Sequence, residues 1–324
     1  MDSIWVISNS TGSTRWQTAT NDPLHTRASS KYAPEMSEAF RRIGDFSCVW
    51  GESLCWDDRQ ERLYFVDCAT RKLFWLEGAE PPFYELQLDS LPTGIGLAED
   101  GRVLIALDDG LKLVDVNRAI SELIAPYPDG LGGRANDGTV DPWGNFITGT
   151  LRAETCKGST WAFSSKAGWL KLDGGITNAN GHVSIAGEQG NRLVFADSPA
   201  QLLWSYDALP DQTTYGPRKV YANTRELNGF PDGACQTADG SVLSCIIRGG
   251  KLALFAENGL RHSFSAGSEQ PSDVAFAGAR LDRLFVVSIQ IDFGHGKPNS
   301  TLAGSLVEIE GTGLTGMPEN RFLI

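Results

Sequence analysis

The chain has 324 residues, 41% hydrophobic and 21% charged, with 36 glycines. That is enough to bury one large core or two ordinary ones, and it points to short strands and tight turns rather than long solvated helices. A formal net charge of -12, from 40 acidic and 28 basic residues, argues against nucleic acid as a partner, and no run approaches the roughly 20 apolar residues that cross a bilayer.

In chain order, the opening MDSIWVISNSTGSTRWQ lacks the basic and apolar regions of a secretory signal, so a cytoplasmic location is expected. Residues 1 to 44 form a polar N-terminal extension, with a short helix expected around APEMSEAFRR. It reads as a surface segment packed beside the main domain, with a lid or an oligomer contact as the alternative. Beyond it, residues 45 to 324 carry one pattern six times: LCWDDRQERLYFVD (54 to 67), IGLAEDGRVLIALD (95 to 108), GTVDPWGNFITGTL (138 to 151), VSIAGEQGNRLVFAD (183 to 197), GACQTADGSVLSCI (233 to 246) and VAFAGARLDRLFVVS (274 to 288). Each reads as a hairpin of two buried strands around an Asp-Gly or similar turn.

The turns fall near Gln60, Gly101, Gly144, Gly190, Gly240 and Asp282, in steps of 41, 43, 46, 50 and 42 residues. That is the length of a four-stranded propeller blade. A second, outer strand follows in each unit, as in RKLFWLE, LKLVDV, GWLKL, QLLWSYD, GKLALFAE and GSLVEIE. The expected fold is all-β, a six-bladed β-propeller of four-stranded blades around a central channel. The six cysteines, Cys48, Cys55, Cys68, Cys156, Cys235 and Cys245, have no ligand-like spacing and read as small buried hydrophobes.

Eight residues before the turns of blades 1, 2, 3 and 5, and ten before those of blades 4 and 6, stand Glu52, Thr93, Asn136, Asp232, Asn180 and Ser272. The first strand of each propeller blade lines the channel, so these six side chains meet around one axis. Every one bears oxygen, and no basic residue occupies an equivalent position. Two carboxylates crowded at one mouth repel unless a cation neutralises them, and an all-oxygen set suits a hard divalent ion. For Thr93 and Ser272 the favoured reading is a cap on the blade start through backbone hydrogen bonds.

The segments GESLCWDDRQERLYFVD, RANDGTVDPWGNFITGTL, RLVFADSPAQLLWSYD, FPDGACQTADGSVL and GSLVEIEGTGLTGMP, in this order from about Phe40 to the C-terminus, resemble the SMP-30/gluconolactonase/luciferin-regenerating enzyme family of six-bladed propellers. The resemblance implies one divalent metal (Ca, Mn, Mg or Zn) held by Glu52 of the GE motif, Asn180 of an NG motif and Asp232 of the PDG motif. It also implies substrate contacts from Arg134 and Asn136 in R-x-N-D-G, and a looser one from Glu154. The chain departs from the pattern after the NG motif, where His182 follows. Its strand position favours a hydrogen-bonded inner-blade histidine over an added acid/base or substrate contact. His295, in FGHGKP, is a rim residue at most.

The implied activity is metal-dependent hydrolysis of a sugar lactone or related small lactone, with Asp232 as the base and the ion polarising the carbonyl. The alternative keeps the metal site for other chemistry, such as phosphotriester hydrolysis or a non-hydrolytic isomerisation or cyclisation. A third reading is a binding or regulatory scaffold, since fold alone does not fix function. The partner in the first two is a small-molecule substrate. No G-x-S-x-G elbow, HExxH helix or phosphate loop competes. Asp137 and Asp197 read as strand-end or turn residues rather than chemical groups.

Overall fold

A computed structural model describes residues 38–153, 157–185, 190–209, 214–257, 259–294 and 296–324. Six antiparallel sheets surround a central channel, each led by one innermost strand: Gly51–Asp57, Pro92–Ala98, Gly133–Val140, Ala179–Ile185, Phe230–Gln236 and Pro271–Ala277. These six contact one another in order, the sixth against the first, so the ring closes. The architecture is the expected six-bladed propeller. Among the described residues the helical turns are short 3-10 turns such as Ser198–Ala200 and Arg225–Leu227.

Burial follows position within a blade. The innermost strand Pro92–Ala98 is buried along its whole length, whereas the outermost strand of the same blade, Ile120–Ala125, is mostly exposed. The apolar side chains pack as clusters between neighbouring blades. Leu63, Phe65, Phe285 and Val287 join blades 1 and 6, for example, and Val194, Leu203, Val242 and Phe255 join blades 4 and 5. The alternating pattern of the strands therefore serves blade-to-blade packing on both faces, which is why inner strands read as near-continuous apolar runs. Five cysteines, Cys48, Cys55, Cys68, Cys235 and Cys245, are buried free thiols, as expected; Cys156 lies outside the described residues.

The N-terminal boundary requires a correction. Ala39–Arg42 form no helix; they are the outermost strand of the sixth blade, paired antiparallel with Val307–Glu310. The propeller thus begins at Ala39 rather than 45, and residues 1–37 lie outside the described residues. Sheet pairing overrides the weak helical pattern because the fourth strand of blade 6 must come from the other end of the chain, which leaves its inner strands no bare edge. Arg41 and Arg283 both bind Glu80 and Glu308 across this closure.

The C-terminal segment crosses the floor of the ring, on the side of the hairpin turns. Gly316 bridges to Thr237 of blade 5, Asn320 Nδ2 donates to Val140 O at 3.0 Å in blade 3, and Arg321–Phe322 pair in parallel with Leu97 and Ala98 of blade 2. Arg321 also bridges Asp57 at 2.7 Å and Asp58 at 2.5 Å in blade 1. This segment ties four blades together and closes the channel from below.

Candidate functional site

The six polar positions stand at the mouth end of the innermost strands. Each strand carries a register shift beside its polar residue: between Glu52 and Cys55, Pro92 and Gly94, Asn136 and Gly138, Asn180 and Val183, Pro231 and Ala234, and Pro271 and Asp273. A β-bulge bends the strand and re-aims adjacent side chains, so two consecutive residues can face the channel instead of one. The bulges also bring the strands unusually close. A Cβ on Gly181, at φ +56°, would stand 2.4 Å from Asp232 O, and one on Gly233 would stand 2.2 Å from Asp273 Oδ1.

Around the mouth, the side chains of blades 3 and 4 form one network. Arg134 Nη2 donates to Asn136 Oδ1 at 3.1 Å, and Asn136 Nδ2 donates to Asn180 Oδ1 and, at 2.9 Å, to Ala179 O. Asn180 Nδ2 donates to Ser198 Oγ at 2.9 Å, which fixes the orientation of its amide. On the first blade Trp50 Nε1 donates to Glu52 Oε1 at 2.9 Å. Burial pushes Glu52 up to about 8, with the charge of Asp137 adding to the rise and the Trp50 hydrogen bond and Arg134 opposing it. Asp232 is buried, and burial followed by the charges of Glu52, Asp137 and Asp273 drives it well above the usual carboxylate range.

Thr93 and Ser272 are structural, as expected, although their hydroxyls donate to carbonyls rather than accept from N–H groups. Thr93 binds Ala106 O at 3.2 Å, and Ser272 binds Gly51 O at 2.5 Å. Asp197 also acts as a strand-end clamp, accepting from the backbone of Thr177 and Asn178 at 3.1 Å. Asp141 accepts from Trp143 N at 3.0 Å and Asn145 N at 2.8 Å in its turn.

Asp137 makes the backbone hydrogen bonds expected of it and also faces the channel. It accepts from the backbone N–H groups of Gly138 and Gly181, and its charge acts on Glu52, Asp232 and Asp273. Its own value is raised to about 6 by burial, against those hydrogen bonds. Asp273, which sequence reasoning passed over, is a fourth channel carboxylate. It accepts from Leu54 N at 2.6 Å and Val274 N at 2.8 Å, and burial with neighbouring charge raises it strongly. Both aspartates come directly after a ring residue, at the bulge. The signal was the adjacent acidic residue in N-D-G and S-D-V; strict alternation hid it.

His182 is buried on its strand, stacked at 5.7 Å on Phe195. The expected hydrogen bond is absent among the described residues: neither ring nitrogen has a partner there, and Asp137 Oδ2 lies 4.0 Å from Nδ1. Burial lowers His182 to about 3, so the ring is neutral. It lines a cavity of about 140 Å³ beneath the mouth, together with Asp137, Asp273, Cys55, Cys235 and Glu319 of the C-terminal segment. Burial raises Glu319 to about 7, against Arg321. Glu154 and His295 lie outside the described residues.

A closed ring of six four-stranded blades, with four carboxylates facing its channel and an arginine at the mouth, defines a six-bladed propeller with an acidic channel. The chain belongs to the SMP-30/Gluconolactonase/LRE-like family, whose model matches residues 50–290. It is 27% identical to the pentonolactonase XacC of Haloferax volcanii over 86% of this chain and 97% of that one. It is 28% identical to a 6-deoxy-6-sulfogluconolactonase of Pseudomonas putida over 78% and 88%. Among solved structures, the calcium-binding protein regucalcin of Agrobacterium tumefaciens superposes with a TM-score of 0.79 at 22% identity, over 88% of this chain and 98% of that one. Among the described residues no helix is long and apolar enough to cross a membrane.

Proposed function

We propose that this protein is a lactonase that depends on a hard divalent cation and opens a small lactone at the mouth of the channel. The observation that carries the reading is the crowding of Glu52 and Asp232 with Asp137 and Asp273. Burial raises all four, the charge of neighbouring carboxylates adds to the rise of Glu52, Asp232 and Asp273, and none of those three makes a salt bridge among the described residues. Such a cluster favours a cation that balances it. Names of two relatives support the choice of lactone hydrolysis over other chemistry.

The donor set fits an oxygen-seeking ion. Among the described residues no three His, Cys, Asp or Glu side chains form a metal-binding group on their own; in the proposed set the third donor beside Glu52 and Asp232 is the amide oxygen of Asn180. Ser198 and Asn136 hold that amide in place. Glu52, Asn180 and Asp232 would hold the cation, with calcium, manganese or magnesium preferred over zinc by the oxygen-only donors. When bound, the ion supplies Lewis acidity toward a carbonyl oxygen and lowers the pKa of water beside it.

The chain's own groups do the rest. Arg134 presents a planar guanidinium tied to Asn136, suited to hold a substrate hydroxyl or carboxylate so that the lactone carbonyl faces the carboxylates. An oxygen of Asp232 accepts the proton of the attacking water. The water oxygen adds to the carbonyl carbon, the ring C–O bond breaks, and the ring oxygen takes up the proton to leave the hydroxy acid. The test is a panel of sugar lactones beside a phosphotriester, assayed with calcium, manganese, magnesium and zinc on wild type, Glu52→Gln and Asp232→Asn. Cation-dependent lactone hydrolysis lost in both variants is expected; hydrolysis that survives in both would remove the site.

A further inference from the structure

Two residues before each polar ring position, one step nearer the mouth, stand Trp50, Leu91, Arg134, Asn178, Phe230 and Gln270; Arg134 and Phe230 lie within their innermost strands, on the face of the polar residue, and the other four immediately precede theirs. Hydrogen bonds down that face, from Trp50 to Glu52 and from Arg134 to Asn136, confirm the alignment on two blades. This set is divided. Blades 3 and 4 contribute the polar pair Arg134 and Asn178, and the Oδ1 of Asn178 is buried without a partner among the described residues.

The remaining blades contribute an apolar arc. Phe230 is partly buried on blade 5, with the Arg248 guanidinium 5.4 Å from its ring centroid, and Trp50 and Leu91 pack partly buried in the cluster between blades 1 and 2. Gln270 on blade 6 turns inward, its amide spent on the carbonyls of Ile289 at 3.2 Å and Ile291 at 3.1 Å. In its place the loop after that blade's second strand sets Phe293 edge-on to Trp50, with ring centroids 5.9 Å apart. Phe293 is 40% exposed and Val49, beside Trp50, is 42% exposed. Exposed apolar groups at a ligand mouth mark where apolar ligand surface is buried. A lactone clothed in hydroxyls would leave those on the Trp50 and Phe293 side facing rings.

We propose, resting on the lactonase reading above, that the substrate is a lactone bearing an apolar arm, an aryl or alkyl substituent. The arm lies against Trp50, Phe293 and Phe230 while the oxygen-rich side faces Arg134 and Asn178. Trp50 and Phe293 are then specificity-determining residues, and the indole that steadies Glu52 also meets the arm.

Three δ-lactones of equal ring size test this in the presence of calcium or manganese: δ-valerolactone, its 6-phenyl derivative, and glucono-δ-lactone. The phenyl derivative is expected to exceed δ-valerolactone in kcat/KM by about ten- to a hundredfold, mainly through KM, and to exceed glucono-δ-lactone as well. Phe293→Ser is expected to reduce the phenyl preference about tenfold. By calorimetry, the phenyl-substituted δ-valerolactam, which does not turn over, is expected to bind at least about tenfold more tightly than δ-valerolactam, and less so in Phe293→Ser. A preference for glucono-δ-lactone, a phenyl preference near one, or a preference unchanged in Phe293→Ser overturns the proposal while leaving the lactonase reading intact. No turnover of any of the three overturns both.

Discussion

Two clusters of charge sit in this ring and behave in opposite ways. At the closure of blade 6, Glu80 and Glu308 lie against Arg41 and Arg283, and those guanidinium groups hold both carboxyls below the usual range. In the channel, burial raises Glu52, Asp137, Asp232 and Asp273 alike, neighbouring carboxylates add to the rise of Glu52, Asp232 and Asp273, and Arg134 opposes it at Glu52. The same residue types are thus self-sufficient in one place and incomplete in the other. A charge cluster that the fold balances is architecture; one left unbalanced favours binding something from outside.

The sharpest way to break this contrast is to remove the channel charges. Glu52→Gln and Asp232→Asn are each expected to lower lactone kcat/KM by at least about a thousandfold, on the order of 4 kcal/mol, while raising the melting temperature of the cation-free protein because a repulsion is relieved. A variant that is inactive yet also less stable without cation would mean these carboxylates are structural after all. At the closure the sign reverses. Glu308→Ala is expected to destabilise the fold by about 1–2 kcal/mol, since it removes the buried one of the two carboxylates that Arg41 and Arg283 share and leaves them only the half-exposed Glu80; denaturant unfolding measures it, and a loss under about 0.5 kcal/mol would reduce that cluster to surface decoration.

Arg134→Lys keeps the charge but loses the planar fork, and is expected to cost about ten- to a hundredfold in kcat/KM, mostly through KM, with cation affinity little changed. If cation affinity falls as much as kcat/KM, Arg134 supports the ion site rather than the substrate. The smallest effect concerns the floor. Glu319 is raised to about 7 in the fold from an ordinary value of 4.5, so between those values the folded state holds the extra proton. Its contribution to stability is therefore present below about pH 4.5 and lost as the pH rises through 7. Glu319→Gln is expected to flatten that part of the profile by on the order of 1–2 kcal/mol; a profile parallel to wild type would show that the carboxyl is solvated.

Much of this was legible in the chain. The spacing of turns from Gln60 to Asp282 determines six blades, because the turn chemistry and the alternating strands are local. Counting back from those turns reached Glu52, Asn136, Asn180 and Asp232. What stayed hidden depends on contacts between distant segments. Ala39–Arg42 carries no strand signal of its own and pairs only because Val307–Glu310 presents an open edge. Asp273 and the channel role of Asp137 depend on bulges, which break the alternation used to assign faces. Glu319 reaches the channel because the C-terminal segment crosses the floor, a path set by Thr237, Val140 and Leu97. The missing hydrogen bond of His182 likewise belongs to the packed channel and not to its sequence neighbours.

The central claim, that the channel carboxylates are completed by a cation, is tested most directly by thermal unfolding of the wild-type protein across pH 5 to 8, with and without calcium or manganese. Glu52 is raised to about 8, so the folded state holds more protons than the unfolded one across this range, and the cation-free protein should lose stability as pH rises. Added cation should raise the melting temperature, most at pH 8 and least at pH 5, and should do so far less in Glu52→Gln and Asp232→Asn. A melting temperature indifferent to cation at pH 8, or a shift equal in the wild type and both variants, would contradict it.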